Sequence, residues 1–198
     1  LYTEGYTHVL IQSSNIADGV EMAYIRHEAE SYQGKFKQVR IGNTLLAEPA
    51  DYQEAIRIVT SHYGQKKMAN VLVAGGEDSE NPSAFSMLDY MLGWQGYTDW
   101  LVVAEDGFPT VEQLQKQLKQ RKLKKVHLIP FTFAAADEQH VGLLKQSLQK
   151  AGYKVTLGSQ PLGKLDDIID LFVNHALHAR QYRTYSPLEL KMQEALGR

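Results

Sequence analysis

The feature that most constrains the fold of this chain is a regular alternation of short apolar runs with amphipathic segments. Runs rich in β-branched and other apolar residues predict six strands, at 7–12, 37–41, 70–74, 100–104, 125–130 and 154–157. Apolar residues at helical spacing predict helices at 17–32, 51–63, 82–94, 110–121, 137–151, 165–182 and 187–196. Apolar strands joined by helices are typical of parallel sheets covered on both faces, so we predict an α/β fold.

Composition excludes several classes of protein and of site. With 43% hydrophobic and 22% charged residues, the chain is typical of a globular protein rather than a disordered one. A net charge of −2 argues against a nucleic-acid partner, which usually requires a basic surface. The chain has no cysteine, so any metal must be bound by carboxylates and histidines. No apolar run approaches the roughly 18 residues that cross a bilayer, so we expect no transmembrane segment.

Ligands of parallel α/β proteins bind beyond the carboxyl ends of the strands, and the loop after strand 70–74 is the first candidate. Gly75 and Gly76 allow the backbone to approach a ligand closely, and acidic residues follow from Glu77 onward. This is not a phosphate-binding loop, because no lysine stands at the required spacing and carboxylates repel phosphate. The same residues also fit a tight turn followed by a helix cap, so both interpretations stay open.

Two further loops at the same predicted edge carry acids. Asp106 follows strand 100–104, and Glu138 follows strand 125–130 with His140 two residues further on. Helix capping would explain each loop singly, but three acidic loops together predict a negatively charged cleft suited to a cation. Most of the aromatic residues near the strand ends should lie in the core. Phe131 and Phe133 are nevertheless candidates to line a site for a flat macrocycle, because ring faces pack well against aromatic surfaces.

The histidines outside these loops give weaker signals. His175 and His178 stand three residues apart on a predicted helix, which fits a pair of metal ligands, although such pairs are usually not metal sites. His127 lies within a predicted strand, so we expect it to be packed in the core. No spacing typical of a serine hydrolase or a zinc protease is present.

Several blocks of the sequence stand in the order that one known family shows, among them THVLIQSSNIADGVEMAYIR, VLVAGGEDSENPSAFSMLDYML, EDGFPTVEQLQKQLKQRKLKKVHLIPF and IIDLFVNHALHA. They resemble the anaerobic cobalt chelatases of the sirohydrochlorin cobaltochelatase family. The resemblance covers residues 7–178 and implies a class II chelatase fold, in which two similar half-domains hold a tetrapyrrole and a metal in the cleft between them. We place the half-domains at 1–66 and 67–198, with the C-terminal helices packing back on the first. The family's initial strand and its ligand loop should precede residue 7, so the first half-domain is expected to lack them.

The resemblance also assigns site residues, and here the chain departs from the family pattern. The family has a histidine after the strand that matches 70–74, where this chain has Gly75. The glutamate before its Gly-Tyr-Pro run corresponds to Asp106, and a second histidine falls on Glu138, with His140 two residues on. Both usual active-site histidines are therefore replaced, and Asp106, Glu138 and His140 become the expected metal ligands and catalytic groups. Ser13, after the first strand, is expected to line the ligand cleft with Gly75, Gly76, Glu77, Phe131 and Phe133.

The resemblance implies a protein that inserts or removes a divalent metal, cobalt or iron, in a tetrapyrrole. The alternative is a protein of the same fold that binds haem or another tetrapyrrole without chemistry and is exported for haem uptake. A biosynthetic enzyme would be cytoplasmic, whereas a leader removed before Leu1 would indicate a periplasmic or cell-surface protein. The oligomeric state stays open.

Overall fold

A computed structural model describes residues 1–32, 34–75, 83–104, 107–134, 138–158 and 160–180, and for residues 138–140 it describes the backbone alone. The strands of this part of the chain are β1 His8–Ile11, β2 Gln38–Ile41, β3 Ala69–Ala74, β4 Trp100–Ala104, β5 Lys125–Phe131 and β6 Lys154–Leu157. The helices are α1 Val20–Glu30, α2 Pro49–Tyr63, α3 Ser83–Trp94, α4 Val111–Gln120, α5 Glu138–Lys150 and α6 Asp166–Ala179, with a short 3₁₀ helix at Leu162–Lys164. The predicted α/β fold is confirmed, and the helix predicted at 187–196 lies outside the described residues.

The described strands form two parallel sheets. A small sheet pairs β1 with β2, and a large sheet has the order β4-β3-β5-β6. Every residue of β3 and β4 is buried, as expected for strands in a parallel sheet with helices on both faces. None of the helices in the described ranges is both long and apolar enough to pass through a lipid bilayer.

The two faces of the large sheet carry separate cores, because successive side chains of a strand point to opposite sides. On one face Leu72, Val102 and Ile129 pack with side chains of α2, α3 and α6. On the other face Val71, Leu101 and Leu128 pack with α4 and α5. The first of these cores therefore includes a helix from the N-terminal part of the chain, since α2 follows the small sheet.

The small sheet is enclosed by helices from both ends of the described chain. Val39 and Ile41 of β2 pack with Met22 and Ala29 of α1. α6 contacts β1 and β2, and buried Arg40 donates a hydrogen bond from Nη1 to the carbonyl oxygen of Ala179 at 3.2 Å. The helix that covers this sheet from the other side thus comes from the C-terminal part of the chain. The division into half-domains at residue 66 stays a prediction.

Candidate active site

The carboxyl edge of the large sheet is level, because its three longest strands end in register. Ala74 of β3 pairs with both Ala104 of β4 and Phe131 of β5. The residues that follow these strands therefore start side by side, and Gly75 lies next to Thr132. A Cβ atom built on Gly75 would lie 3.4 Å from Cγ2 of Thr132, so the two chains are close without crowding.

The carboxyl edge of the small sheet is formed by two interlocked loops. The side-chain amide of Gln12 donates hydrogen bonds from Nε2 to the carbonyl oxygens of Ser13 at 2.9 Å and Asn43 at 2.8 Å, which joins the loop after β1 to the loop after β2. A Cβ atom on Gly42 would lie 1.8 Å from Oε1 of Gln12, so a larger residue there would displace the Gln12 side chain. The loops are joined again where the Leu45 amide donates to the carbonyl oxygen of Asn15 at 3.0 Å.

Ser13 is held inside this pair of loops. Its side chain is buried, its hydroxyl accepts a hydrogen bond from the Asn15 amide at 3.0 Å, and it also bonds the Asn15 side chain. These contacts are typical of a serine that stabilises the turn in which it stands. The predicted contact of Ser13 with a ligand stays a prediction.

A cavity of about 160 Å³ lies beside these loops. Its polar lining consists of Asp18, Arg26, Asn43, Thr44 and Tyr52. Ala84, in the first turn of α3, completes the wall from the side of the large sheet. The cavity therefore lies where the loops of the small sheet meet the helix that follows β3, a place where ligands of parallel α/β proteins are expected.

Asp18 and Arg26 form a two-point ion pair in this wall. Nη1 of Arg26 donates to Oδ1 of Asp18 at 2.9 Å, and Nη2 donates to Oδ2 at 2.5 Å. The Arg26 side chain is 25% exposed and the Asp18 side chain is 40% exposed, so solvent screens the pair. Nε of Arg26 is buried and has no hydrogen-bond partner among the described residues. The guanidinium thus retains donors that the ion pair does not use.

Tyr52 contributes a phenol to the same wall. Burial raises the pKa of this phenol above its ordinary value, and the negative charge of the neighbouring Asp51 raises it further. The hydroxyl therefore stays protonated at neutral pH and can act as a hydrogen-bond donor.

The two phenylalanines predicted to line a macrocycle site occupy different environments. Phe131, at the end of β5, is 1% exposed and packs in the core between the large sheet and α2, α3 and α6. Phe133 is partly buried and contacts the edge of the Phe172 ring, with 5.3 Å between ring centroids. Its carbonyl oxygen accepts a hydrogen bond from the Gly163 amide at 2.9 Å, which fixes the loop after β5. Of the two rings, only that of Phe133 has surface to offer a ligand.

The predicted catalytic groups lie in or next to the loops that the structure leaves undescribed. Asp106, Gly76 and Glu77 lie outside the described residues, and Glu138 and His140 open α5 with only their backbone described. Within the described part of the chain, no group of three acidic or histidine side chains is arranged to hold a metal ion. A metal site at Asp106, Glu138 and His140 therefore stays a prediction.

Two of the other histidines, His127 and His175, have structural partners. His127 is buried in β5, as its position in a strand predicted, and its Nδ1 lies 2.8 Å from Oγ1 of Thr156. His175 is 8% exposed, and its Nε2 lies 3.0 Å from Oδ1 of Asp51 in α2. His178 is exposed, so the two histidines of α6 occupy different environments.

Sequence reasoning missed the Asp18–Arg26 pair and the contact between Asp51 and His175. Asp18 precedes α1 and Arg26 lies inside it, a separation that matches no regular contact within a helix. Asp51 and His175 are 124 residues apart in the chain. The only signal for Asp51 is its place in the first turn of α2, where an acid is expected as a helix cap, and it does accept a hydrogen bond from the Glu48 amide at 2.8 Å.

Comparisons with known proteins agree with this architecture. The family model for cobalt chelatase (CbiK) matches residues 1–181. Sirohydrochlorin cobaltochelatase of Salmonella typhimurium is 26% identical in an alignment of 184 residues that covers 88% of this chain and 69% of that protein.

Two solved structures of the sirohydrochlorin chelatase SirB share the fold. SirB from Bacillus subtilis subspecies spizizenii in complex with cobalt gives a TM-score of 0.59 at 16% identity, over 89% of this chain and 71% of that one. SirB from Bacillus subtilis with Fe³⁺ gives a TM-score of 0.60 at 14% identity, over 89% of this chain and 73% of that one.

Proposed function

The chain belongs to the cobalt chelatase (CbiK) family, and from this premise we propose that it inserts a divalent metal ion, cobalt or iron, into a tetrapyrrole. The observation that carries the proposal is the match of the family model to residues 1–181, nearly the whole chain. The metal is a substrate of the reaction rather than a resident cofactor. Insertion is favoured over simple binding because the relatives named above are chelatases.

The proposed place for the tetrapyrrole is the space between the carboxyl edges of the two sheets. The cavity beside Asp18 and Arg26 supports this place, since loops after β1 and β2 line it together with Ala84 of α3. The level carboxyl edge of the large sheet, where β3 ends at Ala74 beside the ends of β4 and β5, also supports this place for the tetrapyrrole. Phe133 offers ring surface near this edge.

Metal insertion requires groups that bind a partly hydrated ion, release it to the macrocycle and accept two pyrrole protons. We assign these tasks to Asp106, Glu138 and His140. A carboxylate binds hard and borderline cations well, but its ordinary pKa of about 4 makes it a weak base at neutral pH. An imidazole, with an ordinary pKa of about 6.5, is better suited to accept the pyrrole protons.

Because these two ordinary pKa values differ, the pH dependence of the insertion rate shows whether a carboxylate or an imidazole is the base. If carboxylates alone accept the protons, the insertion rate should reach its plateau by about pH 5. If His140 accepts them, the rise should be centred near pH 6.5 and disappear in His140→Ala.

The test of the function is metal insertion into sirohydrochlorin under anaerobic conditions, followed by absorbance after addition of Co²⁺ or Fe²⁺. Insertion faster than in buffer is expected, with a loss of about a hundredfold in Glu138→Gln or Asp106→Asn. Glu28→Gln is the matched control, because Glu28 is exposed near the far end of α1. A shift of the Soret band with sirohydrochlorin or haem and no metal insertion would support the binding protein instead. Absence of any shift would refute both functions.

A further inference from the structure

We propose that the cavity between the small-sheet loops and α3 is a carboxylate subsite. In this subsite the Arg26 guanidinium binds one acetate or propionate side chain of the tetrapyrrole, and Asp18 weakens that contact by competing for the guanidinium. The inference rests on the proposed function, because it takes the tetrapyrrole as the ligand. The inference adds the residues that bind side chains at the periphery of the macrocycle, away from the metal.

Arg26 has hydrogen-bond donors to spare. A guanidinium carries five N–H groups in a planar fork, and the Asp18 carboxylate accepts from Nη1 and Nη2. The Nε–H is buried and has no acceptor among the described residues. Because this Nε–H has no accessible surface, a carboxylate in the cavity would bind the second N–H of Nη1 and of Nη2, which the contact with Asp18 leaves unused.

The other polar side chains of the wall suit an anion better than a cation. Asn43, Thr44 and Tyr52 can each donate a hydrogen bond, and Tyr52 keeps its proton at neutral pH. The single carboxylate of the wall, Asp18, is already neutralised by Arg26. A metal ion would meet the positive charge of Arg26 with no free carboxylate to offset it.

The size of the cavity fits a side chain and excludes the ring. Its volume is about 160 Å³, whereas sites that enclose a whole drug-sized ligand measure about 300–1,000 Å³. A cavity of this size has room for one short carboxylate chain. Sirohydrochlorin carries acetate and propionate chains around its ring, and one of them can enter while the ring stays outside.

The test compares the affinity of two metal-free porphyrins for the folded full chain by fluorescence quenching. Uroporphyrin carries carboxylate side chains, and a pyridinium-substituted porphyrin carries cationic groups and no carboxylate. Arg26→Gln should weaken uroporphyrin binding about tenfold, as expected for loss of a charge-assisted hydrogen bond, and leave the cationic porphyrin unweakened. Asp18→Asn should tighten uroporphyrin binding about threefold or more, because the guanidinium is released.

Arg121→Gln is the matched control. It removes the same charge at the end of α4, where Arg121 donates to the carbonyl oxygens of Thr98 and Trp100 at the opposite edge of the large sheet. If Arg26→Gln fails to fold, the change in uroporphyrin affinity caused by Asp18→Asn decides the test alone.

The possible failures are distinguishable. Uroporphyrin binding that is equal in all folded variants would overturn the subsite and leave the proposed function intact. Weaker binding in Asp18→Asn would also overturn it, since Asp18 would then assist the ligand. If the unsubstituted protein bound neither porphyrin nor sirohydrochlorin, the proposed function itself would fail.

Discussion

The substitution Gly75→His should raise the rate of metal insertion. The family resemblance places a histidine at this position, directly after the central strand β3, and this chain has only a backbone there. An imidazole at the carboxyl edge of the sheet would supply both a metal ligand and a base whose ordinary pKa of about 6.5 suits proton transfer near neutral pH. We therefore expect a gain of activity from a single substitution.

The structure allows a Cβ atom at this position without strain. Gly75 is exposed and does not have the left-handed backbone conformation that favours glycine. A Cβ atom there would meet Cγ2 of Thr132 at 3.4 Å, an ordinary van der Waals distance. Replacing glycine at a compatible position stabilises a protein by about 0.4–1 kcal/mol through the unfolded state, so the melting temperature should stay level or rise slightly. A positioned general base contributes about 10²–10⁴-fold to a rate, so we expect a gain of about a hundredfold.

The assay is Co²⁺ insertion into sirohydrochlorin by the unsubstituted protein, Gly75→His and Gly75→Ala. The alanine variant reproduces the change in backbone freedom without the imidazole, so its rate should equal that of the unsubstituted protein. The gain in Gly75→His should be lost below about pH 6, where the added imidazole becomes protonated. A histidine variant that folds normally and is no faster than the alanine variant would refute the equivalence of Gly75 with the family histidine.

Three further predictions concern stability, measured by denaturant unfolding. Leu72→Ala, at a fully buried position of β3, should cost about 3–5 kcal/mol, and a loss below about 1 kcal/mol would contradict the packing described. Burial lowers the pKa of His127, so the unfolded state binds a proton more readily: stability is retained above about pH 6.5 and falls as the pH drops below it. His127→Gln should make this acid-side fall shallower by up to about 1.4 kcal/mol per pH unit, and an unchanged slope would exclude His127 as its source. Asp51→Ala should cost about 2 kcal/mol because it removes a helix cap and the partner of His175, and a double-mutant cycle with His175→Ala should show coupling of about 1 kcal/mol. Additive effects would mean that this contact contributes nothing.

The predicted strands and their succession along the chain agree with the structure because a buried parallel strand leaves a direct mark on the sequence. β3 and β4 are apolar at nearly every position, and both bounds of β4 were predicted correctly. Strand periodicity also placed His127 in the core. A residue inside such a run is enclosed whichever strands become its neighbours.

What the sequence could not reveal is which apolar surfaces meet. The apolar face of α2 shows that the helix must be covered, but its spacing is equally compatible with the small sheet and with the large one. The structure packs Ile56 and Val59 of α2 against the large sheet. The partners of Asp51 and Arg40, at His175 and Ala179, are likewise set by the tertiary arrangement.

The predicted site was only partly accessible to sequence reasoning for a similar reason. Residue type and strand-end position led to Gly75 and Phe133 at the carboxyl edge. They could not separate Phe131, whose side chain points into the core, from Phe133 two residues later. Arg26 was missed because it lies within a helix, outside the strand-end loops.

The covering of the small sheet by α6 has a consequence for the order in which the chain folds. β1 and β2 leave the ribosome long before α6, and α6 is the helix that shields one side of them and ends at Ala179. Two paired strands alone are at best marginally stable in water. The N-terminal segment is therefore expected to have no stable structure of its own until the large sheet has formed and α6 can pack against β1 and β2. Synthesis stopped anywhere before α6 should release a chain whose first strands are open to proteases.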